Sequence, residues 1–194
     1  MTMALDSAET VSDDRLLALY GAGDPSAARV LATRLTPLAL RVAQRMLGDA
    51  AEAEDVAQEA MLRLWRAAPG WQAGTAKVST WLYRVVVNLA TDRLRRRRSV
   101  PLDAAPEPAD DRPGAEAGLI ETDRVRALDA ALGTLPERQR EAVVLRHLEG
   151  LANPEIAEIM EIGVEAVESL IARGKRGLTQ ALAGRRGELG YDDA

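Results

Sequence analysis

Between residues 52 and 98, apolar positions recur twice at steps of three and four, and the two runs are separated by a turn carrying Gly and Pro. In the first run Ala53, Val56, Ala57, Ala60, Met61 and Leu64 fall on one face and Glu52, Asp55, Glu59, Arg63 and Arg66 on another, which predicts an amphipathic helix. Asp49 is placed to cap it, Gly48 closes what precedes, and Pro69 with Gly70 stops it after Ala67. Acids in the first turns and arginines in the last suit the helix dipole, and Glu59 stands four before Arg63. A solvated surface therefore explains the charged face as well as a docking surface does.

The second run predicts a helix with two unlike sides. With Lys77 set in the middle of one face, Thr80, Arg84, Asn88, Thr91, Arg95 and Arg98 fall near it at about 100° per residue, and Val78, Leu82, Val85, Val86 and Leu89 lie opposite. At about 1.5 Å per residue this donor stripe is about 30 Å long, comparable to one turn of a DNA duplex. Five arginines stand among residues 93 to 98, and Trp71, Trp81 and Tyr83 lie at the start of the helix. Basic side chains track phosphates, and neighbouring aromatic rings can stack on bases lifted out of a duplex. Core packing is the competing reading for the tryptophans. Trp65, which continues the apolar edge of its helix, is assigned to the core, and the arginine run to nucleic acid.

Upstream, residues 1 to 11 look untethered. Ser12 can cap a helix through about Leu19, ended by Gly21 and Gly23, and Asp24 followed by Pro25 starts another that should reach Leu47, with a kink or break near Thr36 because Pro37 removes a donor. Residues 99 to 118 hold four prolines, two glycines and five acids and little to bury, the composition of a linker. Helical periodicity returns with Leu119, Val125, Leu128, Ala131 and Leu132, ended by Gly133; Pro136 opens a helix that Gly150 closes. Asn153 and Pro154 cap a short helix carrying Ile156, Ala157, Ile159 and Met160. A turn at Glu161 to Gly163 then precedes a longer helix whose apolar face holds Val164, Val167, Leu170, Ile171, Leu178, Ala181 and Leu182. Short helix, tight turn and longer helix is helix-turn-helix spacing, although an ordinary helical hairpin reads the same way. Glu165, Glu168, Ser169, Ala172, Arg173 and Arg176 share the outward face of the last helix; Arg173, Lys175 and Arg176 suit phosphates or guanine edges, and Glu168 suits cytosine N4. Gly174 and Gly177 each cost roughly 1 kcal/mol relative to Ala, so this helix is expected to fray beyond Arg173 unless something holds it. Residues 184 to 194 read as a loose tail.

A chain of 194 residues that is 47% hydrophobic can build real cores, and the central linker favours two small all-α domains. With no Cys and His147 as the only histidine, a disulfide framework, a zinc site and His-based catalysis are nearly excluded, so no cofactor is expected. No apolar run approaches membrane-spanning length and the amino end lacks a signal pattern, which predicts a cytoplasmic protein with no membrane insertion. The net charge of −5 is unevenly spread: residues 1 to 98 hold 14 basic and 11 acidic residues, residues 99 to 118 hold 1 and 5, and residues 119 to 194 hold 10 and 14. Such a chain should bind bulk DNA weakly by itself, since non-specific affinity follows phosphate neutralisation.

The stretch AEDVAQEAMLRLW, followed by a Trp-bearing loop and WLYRVVVNLATDRLRRRR, resembles the second conserved region of bacterial sigma-70-type initiation factors, specifically the small group IV or extracytoplasmic-function (ECF) factors. The block LPERQREAVVLR to LANPEIAEIMEIGVEAVESLIARGKRGL resembles their fourth region. The resemblance implies a region 2 bundle over residues 12–98, a flexible acidic linker over 99–118 and a region 4 helix-turn-helix over 119–183. It implies docking on the clamp helices of the largest RNA polymerase subunit through Asp55, Gln58 and Glu59, with a second contact to the polymerase flap. It also implies capture of the unwound minus-ten strand by Trp71, Lys77, Thr80, Trp81, Arg84, Asn88, Asp92, Arg95 and Arg96. Duplex minus-thirty-five promoter DNA would be read by Glu165, Glu168, Ser169, Arg173 and Arg176, and an anti-sigma factor is the implied inhibitor. Two positions depart from the family pattern: Glu161 stands where Gly is usual, and Gly163 where a small polar cap is usual. The alternatives fare worse. A mimic that sequesters the inhibitor needs no arginine run, a self-sufficient helix-turn-helix regulator leaves residues 49 to 98 unexplained, and no nucleophile, metal or phosphate-loop constellation suggests an enzyme.

Overall fold

The computed structural model describes residues 11–72, 74, 77–99 and 116–183, and among these there are helices and no strand. The expected leading segment, the body of the linker over 100–115 and the tail over 184–194 lie outside the described residues.

Local signals start and stop the first helices. Helix α1 (Asp13–Gly21) begins where Ser12 accepts from the Arg15 amide, and α2 (Pro25–Leu47) begins where Asp24 accepts from the Ser26 amide at 2.8 Å. Gly48 closes α2 in the left-handed conformation (φ 67°), and Asp49 caps α3 (Ala50–Ala67) through the Glu52 amide at 2.9 Å. Of the kink or break expected near Thr36, the break does not occur: α2 runs through Pro37. The carbonyl that loses its partner belongs to Thr33, which is exposed, as is Pro37, so water can take the place of the missing amide. A 3-10 turn (Ala68–Gly70) ends α3, and α4 (Val78–Ser99) follows. These helices enclose Leu17, Leu31, Val42, Met46, Val56, Leu64, Leu82 and Val86, all at or near complete burial; side chains of this size each contribute about 1.5–3 kcal/mol when removed from water.

In the second half, α5 (Glu116–Thr134) includes Gly133 rather than ending at it, and Val125, expected on its apolar face, is 38% exposed. Helix α6 (Glu137–Val143), with Pro136 at its cap rather than inside it, widens into a π-helical turn over Val144–Leu148, and the Glu149 amide reaches back to the Val144 carbonyl at 3.0 Å. Helix α7 (Asn153–Met160) is capped at Ala152, one residue earlier than expected, with the Glu155 carboxylate accepting from the Ala152 amide at 3.0 Å. Helix α8 (Val164–Leu182) is continuous, and the fraying expected beyond Arg173 is overturned by what surrounds its glycines. A Cβ at Gly174 would stand 2.5 Å from Val143 Cγ2 and 3.2 Å from the Gln139 carbonyl, and one at Gly177 would stand 2.6 Å from Leu135 Cδ2. The missing side chains let α6 and the end of α5 lie against α8, and that packing holds the helix together.

The two halves are not separate in this structure. Helix α7 lies against α4 and α5 lies against α2, and one continuous cluster of buried residues runs through both halves.

Candidate nucleic-acid interface

The donor stripe on α4 is built as its periodicity predicts in most places. Asn88, Asp92, Arg95 and Arg96 are exposed, Lys77 stands exposed just before the helix, and Arg84 is half-buried. Thr80 is the exception. It is buried, at 7% exposure, because α1 and α7 both approach the start of α4: Asp14 accepts from the Val78 amide at 3.2 Å, and Glu155 pairs with Lys77 at 3.1 Å. Trp71 and Trp81 meet edge to face with ring centroids 6.1 Å apart and pack partly against the core, while Trp65 meets Tyr20 the same way at 5.0 Å. Among the described residues the buried Trp71 indole N–H has no hydrogen-bond partner.

Much of the arginine run is spent on α3. Arg97 pairs with Glu52 at 2.8 Å and Asp49 at 3.4 Å, Arg93 pairs with Asp55 at 3.3 Å, and Arg95 stands 3.8 Å from Asp92. Asp55 thus belongs to the same charged surface as the end of the stripe. Gln58 faces elsewhere, into an apolar groove of about 310 Å³ formed with Leu40, Met61, Leu62 and Trp65, and Glu59 pairs with Arg63 at 2.9 Å. Leu62, 41% exposed, was not singled out by the sequence pattern; as an apolar residue on the wet side of an amphipathic helix it was the available signal.

On α8, Glu165, Glu168, Ser169, Arg173 and Arg176 are all exposed. Arg173 donates to the Ser169 hydroxyl at 2.8 Å, and Asn153 on α7 reaches Glu168 at 3.4 Å, which ties the two helices across the turn. Glu161 at the turn holds φ 54°, the left-handed value that Gly usually supplies, and among the described residues it is the one non-glycine with positive φ. A second groove, about 320 Å³, runs between α5, the π turn and α8, and is lined by Leu128, His147, Leu148 and Leu178 among others. Partial burial, then the nearby Lys175 and Arg146, lower the pKa of His147 from its ordinary value.

Between the halves, acids of the second meet donors of the first. Arg84 contacts Glu161 at 3.2 Å and donates to the Glu158 carbonyl at 2.5 Å. The Glu149 side chain, fully covered, accepts from Arg41 at 2.6 Å and from the Tyr83 hydroxyl at 3.0 Å. Burial, and then the adjoining carboxylate, push the Tyr83 hydroxyl far above its ordinary range, so it stays a donor at every physiological pH. Arg98 pairs with Glu137 at 3.2 Å, Arg45 with Asp129, and Arg140, 6% exposed, donates to the Met46 carbonyl at 2.5 Å and the Gly133 carbonyl at 2.6 Å.

No described helix is long and apolar enough to cross a membrane, and the described residues hold no group of three or more metal-ligating side chains. Residues 31–100 match the model of Sigma-70 region 2, and residues 125–178 match that of Sigma-70 region 4, together more than half of the chain. The ECF RNA polymerase sigma factor SigE of Mycolicibacterium smegmatis is 37% identical over 147 residues, 74% of this chain and 56% of that one. The RNA polymerase sigma-H factor of Pseudomonas aeruginosa is 32% identical over 181 residues, 88% of this chain and 93% of that one. Among solved structures, CnrH in complex with the cytosolic domain of CnrY superposes with a TM-score of 0.66 at 26% identity, over 89% of this chain and 97% of that one. A helical bundle bearing a donor stripe, joined to a helix-turn-helix and matched in order by both regions, makes this chain a member of the sigma-70 family, one of its ECF RNA polymerase sigma factors.

Proposed function

We propose that this chain binds core RNA polymerase in the cytoplasm and directs it to a defined set of promoters, acting by binding and melting rather than by catalysis, and that an anti-sigma factor restrains it. The family match carries the reading, and the surfaces on α3, α4 and α8 are chemically suited to it. In the first domain (residues 12–98), Asp55, Gln58 and Glu59, with the groove beside Leu62, dock on the polymerase. Trp71, Lys77, Trp81, Arg84, Asn88, Asp92, Arg95 and Arg96 hold the parted minus-ten strand. Thr80 can join them only if α1 and α7 draw back from the start of α4. In the second domain (residues 119–183), Glu165, Glu168, Ser169, Arg173 and Arg176 read duplex DNA at the minus-thirty-five element.

Capture of a single strand makes melting self-sufficient. A surface that binds unstacked bases has no affinity for them in the closed duplex, so its binding free energy shifts the equilibrium to the open state with no nucleotide hydrolysis. The inhibitor fits the two apolar grooves, one per domain, because a partner lying in either excludes the polymerase surface that would otherwise occupy it.

The test is transcription from linear templates by core polymerase with and without the chain. RNA starting at one defined position is expected only with it. Arg84→Ala with Asn88→Ala should lower initiation at least tenfold while leaving capture of core polymerase within twofold; loss of core capture instead would show that the stripe has been given the wrong partner.

A further inference from the structure

We propose that the helix-turn-helix half occupies the minus-ten surface as an internal stand-in for the DNA strand, with Glu161 as its latch. The inference rests on the reading of the α4 stripe as the surface for the parted strand. Four features of the molecule point to it.

The acceptors stand in a row with helical spacing: the Glu155 carboxylate on Lys77, the Glu158 carbonyl on Arg84, and the Glu161 carboxylate on Arg84. A row of anionic or carbonyl oxygens against Lys and Arg is the pattern a phosphate backbone presents. The Glu158 carbonyl is one of the last four of α7, which lack partners within the helix and carry its negative dipole end, so Arg84 meets an intrinsically negative site. Lys77 also draws the Glu155 carboxyl below its usual range, second to the Ala152 amide. Finally, Glu161 is a β-carbon-bearing residue in a backbone conformation that glycine adopts freely, and its side chain points across the interface to Arg84. With these contacts made, a carboxylate stands on Lys77 and a carboxylate and a carbonyl stand on Arg84 where phosphates would approach, and Thr80 is buried.

The pairs at this seam are largely exposed, and such pairs are individually weak and screened by salt, which suits a closure that must open when polymerase binds. The chain has no Cys, so Ala51→Cys with Ala181→Cys introduces two unique sites for nitroxide labels, one in each half, in the full-length protein.

Pulsed EPR at 50 mM NaCl should give one narrow distance for the otherwise unaltered chain. Glu161→Asn, which keeps a residue tolerant of the left-handed conformation but drops the charge, should add a broad, longer population, as should Arg84→Glu. Arg84→Glu combined with Glu161→Arg should restore the narrow distance. In parallel, Glu161→Asn should bind a fluorescein-labelled fifteen-nucleotide oligothymidylate at least threefold more tightly than the parent. Glu54→Gln, an equal charge change on an exposed part of α3, should alter it less than 1.5-fold.

Distances that ignore Glu161→Asn and are not restored by the charge swap would overturn the latch while leaving the proposed promoter function standing. Distances that open without any gain in oligonucleotide binding over the Glu54→Gln control would overturn the stand-in and, with it, the assignment of α4 to single-stranded DNA.

Discussion

Gly174 shows how one absent methyl group sets the position of a helix. An Ala there gains about 1 kcal/mol of helix propensity, but its Cβ meets a branched core side chain and a backbone carbonyl that cannot move independently, and overpacking costs typically 1–3 kcal/mol. Gly174→Ala is therefore expected to lower the urea-derived stability by up to about 2 kcal/mol, whereas Gly177→Ala, opposed only by the mobile end of Leu135, should stay within about 1 kcal/mol of the parent. Glu141 gives a second residue-level expectation. It is 2% exposed, and burial lifts its carboxyl to about 7 against the pull of Arg138 at 3.2 Å. Because the folded state then holds its proton more tightly than the unfolded chain does, this group erodes stability as pH rises from about 4.5 to about 7. Glu141→Gln removes the titration, so its urea stability should decline less between pH 5 and pH 8 than the parent's. Read from the chain alone, both glycines look like pure cost and Glu141 like a surface acid, since the atoms that approach them belong to other helices.

At the level of helices, what is written locally was legible and what depends on a neighbour was not. Asp24 with Pro25, Gly48 and Asp49 act within four residues of themselves, and each does what its type predicts. Pro37 does not break α2, and both Pro37 and Thr33, whose carbonyl it leaves without an amide, are exposed, so water can replace the lost donor. The cap of α7 slipped to Ala152 because Glu155 supplies the acceptor from inside the helix. The stripe on α4 followed from periodicity, but the covering of Thr80 did not, since Asp14 and Glu155 lie 64 residues before and 78 after the positions they bind. Helix α3 supports an expectation of its own: Leu62→Glu places a charge in the apolar groove and should abolish capture of core polymerase with helicity by circular dichroism unchanged, because Leu62 already has much of its surface in water.

For the molecule as a whole, the charge map and the packing agree. The acidic second half lies on the more basic first half, so Lys77, Arg84 and Arg98, which would attract any DNA, are answered by the chain itself through Glu155, Glu161 and Glu137. Fluorescence anisotropy with a labelled random-sequence duplex at 0.15 M salt should accordingly place non-specific affinity at the weak end of the usual range, about 10⁻⁴ M, and lowering the salt to 0.05 M should tighten it.

Arg140 adds a temporal property to this arrangement. Its one guanidinium bridges a carbonyl at the end of α2 and another within α5, and burial lowers its pKa from the ordinary arginine value, an effect that the charge of Glu137 only partly opposes. Peripheral ion pairs break and re-form freely, but parting the helices there means admitting solvent to a sequestered cation and to the Met46 oxygen in the same event. Separation thus has an activation barrier at its middle and little resistance at its rim, so shut and open forms should interchange slowly even where a rim pair has been removed.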